Sequence, residues 1–159
     1  MKINKLHRMI ILCLTGMSLL SACGSTPQEV KSVATEHALY LRGDMNDYSV
    51  SETYRLKSSA QGLCTEAALH ADWSPYHFKF ADPDWTSGSN YGYAMPPGVL
   101  EMHSRDVKLN PDSRFEDLTL KIRSDGIYRF CLIKKSDGYY ASVSKVADGD
   151  EKNFATNLK

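Results

Sequence analysis

From residue 37 onward, apolar and polar residues alternate in short runs separated by turn-forming residues. The runs are Ala38 to Arg42, Tyr54 to Ser58, Leu63 to His70, Tyr76 to Ala81, Asp106 to Leu109, Leu118 to Arg123, Gly126 to Lys134 and Tyr139 to Val143. Successive side chains of a strand point to opposite sides. In Tyr76-His77-Phe78-Lys79-Phe80 the three aromatics therefore share the face expected in the core, and His77 and Lys79 share the other. Leu63, Ala67 and Leu69 alternate in the same way with Cys64, Glu66, Ala68 and His70, as do Tyr128, Phe130 and Leu132 with Ile127, Arg129, Cys131 and Ile133. Both cysteines thus fall on the more polar faces of their strands. Turn signals stand at Arg42-Gly43-Asp44, Gln61-Gly62, Ser124-Asp125-Gly126 and Ser136-Asp137-Gly138, and no run carries a convincing helical period. Eight short strands in one stretch predict an all-β domain over residues 37–147, a β-sandwich of immunoglobulin-like type. The segment Thr86 to Asn110 is rich in Gly, Ser and Pro and reads as a long loop, and residues 148–159 read as a polar tail.

The first 22 residues have a different character. MKINKLHR carries Lys2, Lys5 and Arg8, and Met9 to Leu20 is an apolar run that ends in small residues, the pattern of an export signal. As a helix this run would reach only ~18 Å, short of the ~30 Å hydrocarbon core, so a permanent span is not expected. Leu20-Ser21-Ala22-Cys23 resembles the bacterial lipobox. That resemblance implies cleavage before Cys23 and acylation of its thiol, each buried methylene adding ~0.8 kcal/mol of membrane affinity. Gly24 stands where an Asp would favour inner-membrane retention, which implies a lipoprotein of the Gram-negative outer membrane, its surface or periplasmic orientation open. Residues 23–36 are polar with one Pro and read as the lipidated Cys and its tether.

Removing the signal changes the charge balance. The whole chain has 19 Lys+Arg against 19 Asp+Glu, and without Lys2, Lys5 and Arg8 the balance is 16 − 19 = −3. A mildly acidic domain without a basic cluster excludes nucleic acid as a natural partner. Of the four cysteines, Cys13 leaves with the signal and Cys23 is the lipidation candidate. In an oxidising compartment a Cys64–Cys131 disulfide is the simplest state of the remaining two, with free thiols or metal ligation as alternatives.

Asp82 and Asp84 flank Pro83, and Asp44, Asn46 and Asp47 cluster in one turn. Both groups suit turn formation better than acid/base catalysis or calcium binding. His37, His70, His77 and His103 lack metal-ligand spacing, and no Gly-Xaa-Ser-Xaa-Gly elbow occurs, so neither a cofactor nor an enzymatic activity is expected. Trp73, Trp85, Tyr91 and Tyr93 stand in or beside turns, where flat rings can stack on sugar faces while polar neighbours bond hydroxyls.

Tyr40-Leu41-Arg42-Gly43-Asp44-Met45-Asn46-Asp47-Tyr48-Ser49, followed by Phe78-Lys79-Phe80-Ala81-Asp82-Pro83-Asp84-Trp85 and Asn90-Tyr91-Gly92, resembles the α-glucan-binding immunoglobulin-like modules. Such modules accompany bacterial pullulanases, occur in starch-binding surface lipoproteins and form the glycogen-binding domain of the AMP-activated protein kinase β-subunit. The similarity spans roughly Leu39 to Val146. It implies ligand contacts at Lys79 and Trp85, and at Tyr48, which stands where those members commonly carry Trp. Their late Asn contact has no counterpart in the hairpin Lys134 to Tyr140. The expected ligand set is Tyr48, Lys79 and Trp85 with Trp73 and Tyr91, and the expected ligand an α-glucan. The competing expectation is an envelope module that docks a protein partner through an edge strand or the Thr86 to Asn110 segment.

Overall fold

The computed structural model describes residues 37–149; the expected signal peptide, Cys23 and tether lie outside the described residues, as does most of the expected tail. Ten strands follow in chain order: β1 Tyr40–Gly43, β2 Lys57–Ser59, β3 Gly62–Leu69, β4 Tyr76–Ala81, β5 Asn90–Tyr93, β6 Val99–Glu101, β7 Val107–Asn110, β8 Leu118–Lys121, β9 Gly126–Lys135 and β10 Gly138–Asp148. The only helical elements among the described residues are three-residue 3₁₀ turns at Asp44–Asn46, Glu52–Tyr54 and Ala71–Trp73.

The strands make an all-β sandwich. One layer runs β1-β4-β8-β6, with β6 parallel to β8, and the other runs β2-β3-β9-β10-β7. β5 pairs with β4 at Phe80↔Tyr91 and with β7 at Tyr93↔Leu109, and so joins the two layers. The period-two pattern sorts residues as expected: Tyr76, Phe78 and Phe80 of β4 and Tyr128, Phe130 and Leu132 of β9 are all buried. The layers meet where Phe78 packs edge-on against Phe130, centroids 5.0 Å apart, with Phe80 at 5.7 Å from Phe78. Such edge-to-face pairs contribute about 0.5–1.5 kcal/mol beyond their area burial.

Cys64 and Cys131 stand opposite one another in the β3–β9 register and are disulfide-bonded, their Cα atoms 4.2 Å apart. That separation matches the closer of the two pair types in an antiparallel ladder. The bridge therefore joins neighbours within one layer and does not cross the core.

The Thr86 to Asn110 segment departs from its expected loop character, since it contains β5 and β6 and runs into β7. Each of these strands is three or four residues long, and Gly92, Pro96, Pro97 and Gly98 interrupt the alternation that would have marked them. They exist because partners distant in sequence supply their hydrogen bonds. Tyr54 likewise lies in a 3₁₀ turn, not a strand, and β10 continues five residues past the expected Val143.

Candidate functional site

The chain leaves β1 through Asp44–Asn46. Asn46 fixes this turn by accepting from the Gly43 N–H at 3.0 Å and donating to the Leu41 carbonyl at 2.8 Å. Asp47 and Tyr48 then adopt left-handed backbone (φ 51° and 55°), as does Trp85 (φ 57°) in the loop after β4. Left-handed backbone costs a non-glycine residue roughly 1–2 kcal/mol, so three such residues need strong local support.

Arg42 supplies that support. Its buried guanidinium donates to the Tyr48 carbonyl at 2.7 Å, the Asp82 carbonyl at 2.9 Å and the Pro83 carbonyl at 3.1 Å, tying the two loops together. The same group lies 3.6 Å from the centre of the Trp85 ring, a cation–π contact. Burial lowers the Arg42 pKa, with the charges of Asp82 and Asp84 opposing the shift. Asp82 closes the second loop by accepting the Thr86 N–H at 2.8 Å. Burial alone would raise its carboxyl, but bonds from Thr86 and the Asp84 N–H outweigh it and hold the group below the usual range.

Beneath the aromatics lies a polar chain. Tyr48 donates its hydroxyl to Asp117 Oδ2 at 2.7 Å, and burial together with this carboxylate keeps the phenol protonated far above its ordinary pKa. Lys79 Nζ bonds Ser113 Oγ at 3.0 Å and lies 3.6 Å from Asp117 Oδ1. Ser113 in turn donates to Glu116 Oε2 at 2.7 Å, which also accepts the N–H groups of Arg114 and Phe115. These bonds, led by that from Ser113, hold the Glu116 carboxyl down to about 2. Burial lowers the Lys79 pKa, partly offset by Asp117 and Glu116.

Lys79 departs from expectation in one respect. It faces away from the core, yet its side chain is only 2% exposed, because the turn carrying Ser113 to Asp117 covers that face. Strand parity fixes the side to which a residue points, not what lies above it. With its charge engaged inside the protein, Lys79 positions Tyr48 and Asp117 instead of presenting an open donor.

Tyr48, Lys79 and Trp85 line one depression of about 440 Å³ together with Asn90, Arg114 and Asp117. A second depression of about 240 Å³ shares Trp85, Asn90 and Arg114 and adds Ser87 and Asp112. Trp85 is 38% exposed and stands 6.4 Å from the Tyr48 ring at 41°. Asn90 Oδ1 is buried without a hydrogen-bond partner. The two other expected residues lie elsewhere. Tyr91 is 3% exposed and packs on Tyr139 at 5.0 Å, because β5 turns it into the core. Trp73 is 70% exposed but stands before the opposite end of β4 from Trp85.

Arg42, Asn90, Arg114 and Asp117 complete the site without having been singled out as ligand groups. Arg42 and Asn90 sit inside the motifs quoted for the resemblance, and that place in the motifs was the available signal. Nothing in the sequence marks Arg114 and Asp117, which β8 and its preceding turn bring to β4 from more than thirty residues away.

No family model matches the sequence, and neither does any curated protein. Among solved structures the chain is similar to one described as "Ligand induced structure of AmyP-SBD", at 17% identity and a TM-score of 0.48 over 91% of this chain and 95% of that one. At that identity and TM-score the likeness carries no functional argument.

Proposed function

We propose that this domain is a non-catalytic module that binds an α-glucan or related polysaccharide, held at the outer membrane by lipid on Cys23. The observation that carries the reading is Trp85. Arg42 fixes the indole from one side at 3.6 Å, and the ring forms a shared wall of two polar-rimmed depressions. An apolar surface with a few placed polar groups is how sites for polyhydroxylated ligands work, and a ring held before the ligand arrives loses little entropy on binding. Asn90, Arg114 and Asp117 supply donors and acceptors around it.

A second reading, docking of an envelope protein, draws support from Phe115, which is 88% exposed on the Glu116 turn. Affinity electrophoresis separates the two. The full-length chain in detergent is run through gels containing glycogen, amylopectin or pullulan beside Trp85→Ala. Retardation lost in the variant supports the glucan site, and free migration in every gel transfers the argument to a protein partner. Palmitate labelling that disappears in Cys23→Ala tests the anchor, and labelling that persists overturns it.

A further inference from the structure

Asparagine is depleted in strands, because its short amide competes for backbone hydrogen bonds and packs poorly on a pleated surface. Asn90 nevertheless opens β5 and is only 7% exposed. Its backbone is fully engaged: the N–H donates to the Pro111 carbonyl at 2.9 Å, and the carbonyl accepts the Ser113 N–H at 3.0 Å. Tyr91 stands opposite Phe80 and turns into the core with it, so Asn90, opposite Ala81, stands on the face of β4 that carries Lys79. There its side chain lines both depressions that share Trp85.

The polar groups around it are already committed to one another. Tyr48 donates to Asp117, Lys79 to Ser113 and Ser87 to Asp112. Among the described residues the side chains of Asn90 and Arg114 make no such bond. For Arg114 this is ordinary, since the residue is exposed and water solvates the guanidinium. For Asn90 it is costly, because its Oδ1 is buried without a partner and a buried amide is normally satisfied. Violations of that rule concentrate where a protein trades stability for function. With no bond to hold it, the amide also turns freely about its last torsion, which is soft. It offers two N–H donors and one carbonyl acceptor within a single small group. Neighbouring hydroxyls on a sugar ring match that set, since each hydroxyl both donates and accepts.

We propose that the Asn90 amide is the hydroxyl-reading group of the Trp85 site, donating from Nδ2 to one hydroxyl of a sugar stacked on the indole and accepting at Oδ1 from its neighbour. The ligand class rests on the functional reading above, but the role of Asn90 is tested separately. A structural amide and a ligand-reading amide respond oppositely to removal. Deleting a structural one weakens the fold, whereas deleting an unsatisfied one recovers its desolvation cost and takes away binding alone. The full-length protein in phosphocholine micelles is compared with Asn90→Leu, which keeps the size and removes the polar atoms, with Asn90→Ala, which cannot clash, and with Trp85→Ala. Calorimetric titration with maltoheptaose reads binding, and urea unfolding reads stability. Both Asn90 variants should bind about tenfold more weakly, the size expected for two neutral hydrogen bonds. The urea midpoint of Asn90→Leu should equal or exceed that of the wild type. Wild-type affinity in both Asn90 variants, with binding lost in Trp85→Ala, overturns the role of Asn90 and spares the glucan site. A midpoint lowered by more than about 0.5 M in Asn90→Ala as well as Asn90→Leu shows a structural amide and also overturns it. No binding of maltoheptaose by the wild type overturns both readings.

Discussion

Replacing Arg42 probes the element on which the whole site depends. Its guanidinium makes three charge-assisted bonds to carbonyls of two loops, at 2.7, 2.9 and 3.1 Å. Bonds of this class contribute about 1.5–3 kcal/mol each when intact. Two of the three acceptors are only part-buried, and water can enter where the side chain is removed. The loss also releases the cost of burying a cation, which is visible in the lowered pKa of Arg42. The expected net destabilisation for Arg42→Met is therefore about 3 kcal/mol, well below the sum of the bonds. For a domain of this size that corresponds to a fall in Tm of roughly 10 °C. Arg42→Lys keeps the charge but loses the planar fork and the flat contact with Trp85, so it should still cost about 2 kcal/mol. Urea unfolding followed by circular dichroism reads both values, and the slope of the transition should stay unchanged if only stability has moved. An Arg42→Lys protein within about 0.5 kcal/mol of wild type would refute the clamp.

Other consequences are equally direct. A Cβ on Gly92 would run into the Glu116 carbonyl and Ser113 Oγ, so Gly92→Ala should displace the turn that covers Lys79; a loss of stability above about 2 kcal/mol and weaker glycogen retardation are expected. Glu116 has a folded-state pKa of about 2 against an ordinary 4.5, so its contribution is present above pH 4.5 and is lost as pH falls towards 2. Urea midpoints should decline across that window in the wild type and more shallowly in Glu116→Gln. Removing the bridge in a Cys64→Ala, Cys131→Ala double variant should cost about 2–4 kcal/mol of stability in urea unfolding, given the 67-residue separation it closes.

The strand pattern made the sandwich legible because β3, β4, β9 and β10 are long enough for two-fold alternation to show. Their inward aromatics are the residues that fill the core. β5 and β6 escaped notice because a strand of three or four residues broken by Gly and Pro carries no period of its own. The same local blindness explains the site. Tyr48, Lys79 and Trp85 could be named from motifs, and the fold gathers them around one depression. The covering of Lys79 by Ser113 to Asp117, however, joins segments that only β4–β8 pairing brings together. Tyr91 misled because its Gly- and Ser-rich surroundings look like a loop, whereas its pairing with Phe80 places the ring inside. The clamp by Arg42 likewise depends on left-handed backbone at Tyr48 and Trp85, which no residue type at those positions announces.

Titration calorimetry with maltoheptaose, comparing the wild type with Trp85→Ala, tests the central claim most directly. Exposed as it is, Trp85 can be truncated without opening the core, so a change in binding reports the ring itself. The account predicts saturable binding by the wild type and a loss of about tenfold or more in the variant, equivalent to at least ~1.4 kcal/mol of lost contact. Equal affinity in the two proteins, or no heat of binding in either, would contradict it.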